Sequence, residues 1–522
     1  MVSYLTRMKH NFLAGSAVLL LALVFQVKAQ TTSTATGPVR YEDFGAKGDG
    51  KTDDFEALVK AHEQANKMGL SVKASDTATY FIGGGNRTIF VMTDTDFGKA
   101  KFIIDDTKLE NHRVNVFEIR SALNPIKLSG ISSLSVGQRR IEAKLPGPCL
   151  VVATDASTKR FIRRGKNQNS GSQQTDVFLV DEQGNVDPKT AIIWEFKQVS
   201  RIEALPVDKT RLTLRGGQFT TIANSTEASE YHARGIKVGR SNVLIEGLEH
   251  RITGEGKEGP PYSGFINVSR CANVTVKDTV VCGHKTYSKI GSAGSQVPMG
   301  SYDISLGSSV NVALVNVTQC NDIMDRSRWG VIGSNFCKNL SYEGCKLSRF
   351  DAHQGVVNAT IRNSTLGYMG LRLTGFGEFL IENSTVQSGN FISLREDYGS
   401  TWKGNITIRN CRFISGQGGR ILDGSNDGQH DFGYTCYMPT RLVVDGLMID
   451  DSKSSKKGPV LFGNFNPQFT SAAYKQPFPY AVTHEVVLKK ITTTSGKPLM
   501  ISDNDFMFKS VKVTGLPPAA AQ

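Results

Sequence analysis

Long apolar runs are scarce in this 522-residue sequence. The clearest example, from Phe12 to Phe25, is about 14 residues long and falls short of the ~20 that a membrane-spanning helix needs. No later stretch is apolar enough to span a bilayer. The metal-ligand spacings C-x-x-C and H-E-x-x-H are also absent, so we predict no metal and no other cofactor.

A basic start containing Arg7 and Lys9 precedes that apolar run, and Val27 to Ala29 follow it with small residues at the cleavage positions. This order is typical of a secretory signal peptide, so we expect residues 1–29 to be removed. The mature protein is then secreted, periplasmic or extracellular, with no membrane insertion. No cysteine lies near the cleavage point, which argues against a lipid anchor.

The formal net charge is +13, and removal of the leader lowers it to about +10. A basic surface attracts polyanions, and outside the cytoplasm an anionic polysaccharide is a better match than nucleic acid. Lysines scattered over a solvated surface are the alternative explanation of the charge. The sequence indicates no oligomeric state.

The chain contains eight cysteines. An oxidising compartment permits disulfides. However, most of the cysteines, such as Cys345 and Cys411, occupy strand-like positions. We therefore predict stacked, buried thiols that help to fill a β core.

A six-residue phrase recurs through the second half of the chain: a polar residue, alternating residues, then usually Asn, Asp or Gly. Positions two and four are apolar, the period-2 pattern of a strand with one buried face. Spacings of 19 and 20 residues between some copies correspond to one coil of a β-helix, and longer spacings to coils with loops. A β-sandwich would not repeat the same final residue. The copies begin at Asn242, Asn273, Asn311, Asn339, Asn358, Glu378, Asn405, Arg441 and Glu485.

Residues 39–54 open the mature chain with glycines that permit tight turns. Asp53 is placed to cap a helix, with Glu56 as its capping-box partner. An apolar stripe follows, made of Phe55, Leu58, Val59, Ala65 and Met68. We expect this helix to close the open end of a β-helix. The opening resembles that of the pectate-lyase-like β-helix proteins, a superfamily that includes polygalacturonases and phage tailspikes.

The predicted fold is all-β: a right-handed parallel β-helix (solenoid) with an N-terminal capping helix. We expect residues 38–515 to form a single β-helix domain. Residues 138–220 lack the recurring phrase and are predicted to be a β-rich insertion or irregular early coils. Residues 516–522 are predicted to be a loose tail.

Successive coils lie ~4.8 Å apart, so residues at one offset from the phrase stack into one surface. Ionisable residues recur near such an offset over five coils, which predicts a substrate cleft along the helix axis. We expect four of them to be catalytic: His353, Asp351, Asp322 and Asp325. The predicted substrate-binding residues are Arg326, Arg328, Trp329, His284, Lys285, Arg372, Arg395 and Glu396. A ladder of solvated charges is the alternative.

The tetrapeptide from Phe350 to His353 is similar to the Phe-Asp-Pro-His motif of bacterial mannuronan C5-epimerases, which are also β-helices. Ala352 replaces the proline, and Gln354 replaces the Asp that follows the motif. The resemblance implies a base role for His353. The residues typical of polygalacturonases do not occur in the required order. Lyases of the superfamily often use calcium, but acids interleaved with arginines predict no dedicated calcium site here.

Three functions compete. In β-elimination, arginines neutralise a uronate carboxylate and His353 removes the C5 proton. In hydrolysis, Asp322 and Asp351 flank the scissile bond. A tailspike-like glycan-binding protein without turnover is the third. The mixture of acids, histidine and arginines favours an enzyme, either a polysaccharide lyase or a glycoside hydrolase. We expect it to cleave an acidic polysaccharide, with β-elimination as the first choice.

Overall fold

The computed structural model describes residues 37–330, 334–453 and 458–515, without the side chains of residues 416–418. Parallel strands stack coil upon coil, which confirms the predicted right-handed parallel β-helix. The predicted signal peptide, residues 1–29, and the predicted loose tail, residues 516–522, lie outside the described residues. Within the described ranges, no helix is both long and apolar enough to cross a membrane.

The coils are built from 27 strands of the described residues. Those before the recurring phrase are Asp49–Asp53, Val72–Lys73, Thr79–Ile82, Ile89–Val91, Thr95–Asp105, Phe117–Ile119, Leu212–Ile222 and Ile236–Val238. The middle coils contain Val243–Glu246, Glu249–Thr253, Ile266–Ser269, Ala272–Lys277, Val280–Val281, Ile304–Gly307, Val310–Val315, Thr318–Gln319, Ser334–Asn335 and Lys338–Glu343. The last coils contain Lys346–Arg362, Thr365–Glu382, Thr385–Leu394, Trp402–Asp423, Arg441–Asp450, Val460–Phe462, Glu485–Thr493, Met500–Ser502 and Lys512–Thr514.

The recurring phrase forms one row of these strands. Val243 pairs with Val274, Val274 with Val312, and Val312 with Leu340, so each copy lies on the next. The last residue of every copy has a positive φ, between 47° and 78°. Asn, Asp and above all Gly adopt that conformation more readily than other residues. These residues are Gly247, Asp278, Asn316, Gly344, Asn363, Asn383, Asn410, Gly446 and Lys490.

A ladder of asparagine side chains joins the first residues of five copies. Asn273 donates to the Oδ1 of Asn242 at 2.9 Å, and Asn311 donates to Asn273 at 3.0 Å. Asn339 and Asn358 continue the ladder at 2.9 and 3.1 Å. All five have φ between 56° and 60°. Asparagine therefore meets two requirements at once, a left-handed turn and a hydrogen bond between coils.

The predicted capping helix is present as α1, Phe55–Met68. It packs against the strand Ile89–Val91, and its buried residues are Phe55, Ala57, Leu58, Val59, Ala61, His62 and Ala65. The prediction of a capping box was wrong, because the Glu56 carboxylate forms an ion pair with Arg87 instead. The predicted stripe also ends one turn early, since the Met68 side chain is exposed.

The region that lacks the phrase contains a four-stranded antiparallel sheet, which confirms the β-rich insertion. The strand order is Ile126–Lys127, Arg201–Pro206, Cys149–Arg160 and Ser172–Val180. The sheet has its own core around Phe178 and Phe196. Its long loop, residues 161–171, reaches the last coils, where the Arg164 amide donates to the carbonyl of Asp397 at 3.1 Å. The domain limits 38–515 and 138–220 stay predictions.

Short elements complete the described chain. Two small sheets pair Tyr287–Ile290 with Gln296–Met299 and Cys436–Tyr437 with Tyr480–Ala481. The remaining helical turns are Tyr41–Phe44, Pro188–Thr190, Glu396–Tyr398 and Asp505–Phe508.

Seven of the eight cysteines are buried, and Cys320 is exposed. The prediction of buried thiols was wrong for one pair. Cys282 and Cys320 form a disulfide, and the other six are free. The register explains the pair: Val281 lies beside Gln319 on adjacent coils, so the residues that follow also meet. Stacking of equal offsets, rather than proximity in sequence, brings these cysteines together.

The ladder gives a prediction about stability. Asn311→Ala loses two ladder hydrogen bonds and forces a side chain with Cβ into a left-handed turn, whereas Asn311→Gly loses only the hydrogen bonds. We expect Ala to lower the free energy of unfolding by about 1 kcal/mol more than Gly does. Urea denaturation of the two variants measures the difference. Equal destabilisation would show that the turn conformation contributes nothing.

Candidate functional site

An open groove of about 670 Å³ lies where the last coils meet the insertion loop. The loop contributes Arg163, Arg164, Lys166 and Asn167 to its lining. The coils contribute Trp329, Arg372, Asn390, Ser393, Arg395, Glu396, Asp397 and Asp423. Four of the sequence-predicted residues therefore share one groove: Trp329, Arg372, Arg395 and Glu396.

The strand register places one row of residues across the groove. Asp351 pairs with Arg372, Arg372 with Ser393, and Ser393 with Asp423, on four successive coils. Asp351 is buried beneath the groove, whereas Arg372, Ser393 and Asp423 line it. Because adjacent coils are ~4.8 Å apart, this row spans a length suited to an extended chain molecule.

Asp351 is held between two arginines. Its Oδ2 lies 3.1 Å from Arg349 and its Oδ1 lies 2.9 Å from Arg395. Burial raises the pKa of Asp351, but the charges of Arg395 and Arg349 outweigh that effect and keep its pKa at about 2. An ionised carboxylate engaged in this way is a poor proton donor or acceptor. Its evident role is to orient the arginines.

A second ion pair ties the insertion loop to the groove. Asp397 binds Arg395 at 2.9 Å and Arg163 at 2.7 Å. Burial raises the pKa of Asp397, but the charges of Arg395 and Arg163 lower it by more. The net effect is a lowered pKa, so the carboxylate stays ionised. The ion pair between Arg163 and Asp397 thus attaches the loop to the coil that contains Arg395. The loop and the last coils form one wall of the groove together.

Arg372 differs from its neighbours because it has no counter-ion among the described residues. No acidic side chain in that part of the chain forms an ion pair with it, and its Nε has no hydrogen-bond partner. Burial, and then the charge of Arg395, lowers the pKa of Arg372. A half-buried guanidinium without a partner favours an anionic ligand, since such a ligand restores the missing hydrogen bonds.

Asp423, at the other end of the row, has the opposite character. Its Oδ2 accepts a hydrogen bond from Asn390 at 2.8 Å, and its Oδ1 lies 3.3 Å from Arg420. Burial raises the pKa of Asp423 in spite of Arg420. Asp423 therefore keeps its proton to a higher pH than an exposed aspartate does.

His353 lies next to this groove rather than in it. Its Nδ1 is 2.8 Å from the Oδ1 of Asn335, which requires a proton on Nδ1, and its Nε2 then accepts from the Tyr398 hydroxyl at 3.3 Å. Burial, and then the charge of Arg395, lowers the pKa of His353 to about 3. The ring is neutral at neutral pH.

The remaining predicted residues lie on other coils. The Asp322 and Asp325 carboxylates accept hydrogen bonds within their own turn, from Met324 and Ser327, and Arg326 is exposed. In the described part of the chain no hydrogen bond or ion pair joins Asp322 to Asp351. The catalytic roles of Asp322 and Asp325 stay predictions.

Glu255 joins three other predicted residues into a buried cluster. It lies 2.9 Å from Arg328 and 3.5 Å from the His284 Nδ1, and it accepts the Lys285 amide at 2.6 Å. The His284 ring is stacked on Tyr262, with centroids 3.6 Å apart. These contacts join residues of neighbouring coils to one another.

Sequence reasoning misses Arg163, Asn390, Asp397 and Asp423. The basic run from Arg160 to Lys166 was a visible signal for the loop. Asn390 and Asp423 gave no such signal, because their place in the row depends on strand register. Among the described residues, no group of three or more His, Cys, Asp or Glu side chains is arranged to hold a metal ion.

The fold is a parallel β-helix, as the sequence predicted. No protein-family model matches the sequence. Tailspike gp61 of Pseudomonas phage phi297 superposes with a TM-score of 0.55 and 13% identity, over 92% of this chain and 84% of that one. This likeness shows the fold.

Two weaker similarities accompany it. The chain is 26% identical over 98 residues to a KL64-specific capsule depolymerase of Klebsiella phage P510, which is 16% of this chain and 10% of that protein. The matched segment thus spans about a tenth of that relative. The A-module of a mannuronan C-5 epimerase from Azotobacter vinelandii gives a TM-score of 0.44 at 10% identity, over 92% of this chain and all of that one. That value is too low to bear on residues 350–353.

The pair of arginines around Asp351 gives a second prediction. Arg395→Met leaves a buried carboxylate with one partner fewer, and we expect a loss of about 3–5 kcal/mol in the free energy of unfolding. Arg362→Met breaks an exposed pair with Glu382 and should cost about 0–1 kcal/mol. Urea denaturation distinguishes them. Similar losses in both variants would contradict the buried ion-pair network.

The histidine gives a prediction about pH. Between pH 6.5 and about 3 the unfolded chain binds a proton at His353 that the folded protein does not bind. The free energy of unfolding therefore falls as the pH is lowered through that window. His353→Gln should reduce this dependence by up to one proton, about 1.4 kcal/mol per pH unit. The exposed His484→Gln is the control. An unchanged slope for His353→Gln would contradict a buried neutral ring.

Proposed function

We propose that the protein acts outside the cytoplasm as a depolymerase that cleaves an acidic polysaccharide in the arginine-rich groove. The observation that carries the proposal is Arg372, which lines an open groove and forms no ion pair with any residue that the structure describes. A carboxylate on a sugar would supply the missing partner. The open, elongated lining suits a chain rather than a compact small molecule.

Three further facts support this proposal. The local similarity to a capsule depolymerase agrees with a polysaccharide as substrate. The disulfide Cys282–Cys320 agrees with an oxidising compartment and thus with the proposed signal peptide. The groove also contains Trp329, and an aromatic ring of this kind stacks on the apolar face of a sugar.

The proposed reaction is hydrolysis with Asp423 as general acid. Burial raises the pKa of Asp423, and its carboxyl lines the groove, where its protonated form could donate to a departing glycosidic oxygen. The exposed carboxylate of Glu396, in the same groove, is the proposed base or nucleophile. This pair replaces Asp322 and Asp351 in the hydrolytic scheme, since Asp351 is engaged by two arginines.

β-Elimination is the second candidate, and Arg372 favours it. A uronate carboxylate bound to Arg372 and Arg395 would have its charge neutralised, which acidifies the neighbouring C5 proton. The unprotonated Nε2 of His353 is the proposed proton acceptor, with the Tyr398 hydroxyl beside it as the proton donor. The two mechanisms give different products, because only elimination leaves an unsaturated sugar that absorbs ultraviolet light.

The groove predicts a strong dependence on Arg372. With an acidic capsular polysaccharide as substrate, Arg372→Ala should lower kcat/KM by at least 100-fold, as expected when a buried charge-assisted hydrogen bond is lost. Arg441→Ala, on a different row of the same solenoid, is the matched control and should change little. Release of new reducing ends is the readout. If both variants retain full activity, the groove is not the substrate site.

The general acid is tested by Asp423→Asn against Asp450→Asn, whose carboxylate pairs with Arg412 on another face. We expect the Asp423 variant to lose roughly 100-fold or more in kcat. The product is followed at the same time by reducing ends and by ultraviolet absorbance. If ultraviolet absorbance is lost in His353→Ala but kept in Asp423→Asn, the reaction is β-elimination and not hydrolysis.

A further inference from the structure

A second pocket, of about 340 Å³, lies on the coils that precede the arginine-rich groove. Its lining residues are Tyr231, Ser263, Asn267, Ser269, Tyr302, Ser305, Leu306, Gly307, Asn335 and His353. Among the described residues, no Lys, Arg, Asp or Glu side chain contributes to this lining. We call it the neutral pocket.

The polar groups of the neutral pocket are all uncharged. Asn267 donates to the Ser305 hydroxyl at 3.0 Å, and the two residues are paired on adjacent coils. His353 contributes a neutral ring, because burial lowers its pKa to about 3. Amides and hydroxyls of this kind exchange hydrogen bonds with sugar hydroxyls, since each group both donates and accepts. A carboxylate in the same place would be desolvated without a cation to pair with it.

One wall of the neutral pocket is aromatic. The rings of Tyr231 and Tyr302 are parallel to within 6°, with centroids 6.3 Å apart. Flat aromatic walls with a polar hydroxyl suit the apolar face of a pyranose ring. The pocket therefore combines the two features that recognise an uncharged sugar, an aromatic platform and neutral hydrogen-bonding groups.

Two contacts connect the neutral pocket to the arginine-rich groove. The guanidinium of Arg349 lies over the Tyr302 ring at 5.4 Å and over the Trp329 ring at 4.9 Å, and these rings line the pocket and the groove respectively. On the other side, Tyr398 contacts His353 of the pocket and follows Asp397 of the groove. The two sites are therefore neighbours along the solenoid axis.

We infer that the neutral pocket binds an uncharged sugar next to the charged sugar held by Arg372, so that the substrate is a heteropolysaccharide rather than a homopolymer of uronic acid. The inference rests on the proposed function, and it adds the composition of the substrate. A chain that alternates charged and uncharged sugars matches both sites at once. A chain with a carboxylate on every sugar places one of them in a pocket without a cation.

The test measures binding by affinity electrophoresis of the full protein in gels that contain a defined polymer. Hyaluronan and gellan contain uncharged sugars between the uronates, alginate and polygalacturonate contain uronates alone, and dextran is uncharged. We expect a mixed polymer to retard the protein most. Tyr231→Ala and Asn267→Ala should each weaken that retardation at least tenfold, whereas Arg441→Ala should not. Tyr231 lies in a loop, so its substitution leaves the coils intact.

Several outcomes would overturn the inference: equal or stronger retardation by polygalacturonate or alginate, no retardation by either mixed polymer, or unchanged binding in both variants. Failure of the proposed function looks different. If a mixed polymer binds through Tyr231 but is never cleaved, the inference about the neutral pocket is supported and the proposed depolymerase activity is contradicted. If polygalacturonate is cleaved in an Arg372-dependent way, and the Tyr231 and Asn267 variants cleave it as well as the unmodified protein does, the proposed depolymerase activity is supported and the inference is contradicted.

Discussion

Left-handed turns at fixed positions keep the coils of this protein in register, and the site depends on that register. Each copy of the recurring phrase ends at a positive φ, and five copies also begin at one. Where the first residue is asparagine, its side chain reaches the previous coil as well. A slip by one residue would send every inward side chain to the solvent face. The row from Asp351 to Asp423 exists only because the coils do not slip.

The groove uses that register to concentrate charge. Asp351 and Asp397 hold Arg349, Arg395 and Arg163 in place. Arg372 forms no ion pair with any of the described residues, and its Nε has no hydrogen-bond partner. Asp423 lies in the same row with a raised pKa. One wall thus places a guanidinium and a carboxyl with a raised pKa within four coils. The acids that are nearest to the arginines, Asp351 and Asp397, each form two ion pairs with them.

The local pattern was sufficient to predict the coils. The alternating phrase and its final Asn or Gly report strand and turn directly, and the structure pairs the copies at the predicted spacing. The site was only partly predictable. Arg372, Arg395 and Glu396 were predicted from similar offsets within the coils, and Trp329 from its charged surroundings; all four line the groove.

Other features depend on three-dimensional context. The loop with Arg163 carries no repeat, so its return to the last coils is a tertiary contact without a periodic signal. The burial of Asp351 between two arginines could not be predicted from the sequence. Alternation along a strand does not show which charged residues of neighbouring coils will form ion pairs. The disulfide between Cys282 and Cys320 follows from coil stacking and could be inferred only once the register was known.

The central claim is that Arg372 binds the acid group of a polysaccharide in the groove beside Asp423. The most direct test is a crystal structure of the Asp423→Asn variant with an acidic oligosaccharide of its substrate. We expect a sugar carboxylate within hydrogen-bonding distance of Arg372 and a glycosidic oxygen next to residue 423. An oligosaccharide bound elsewhere on the solenoid, with the groove free of sugar, would contradict it.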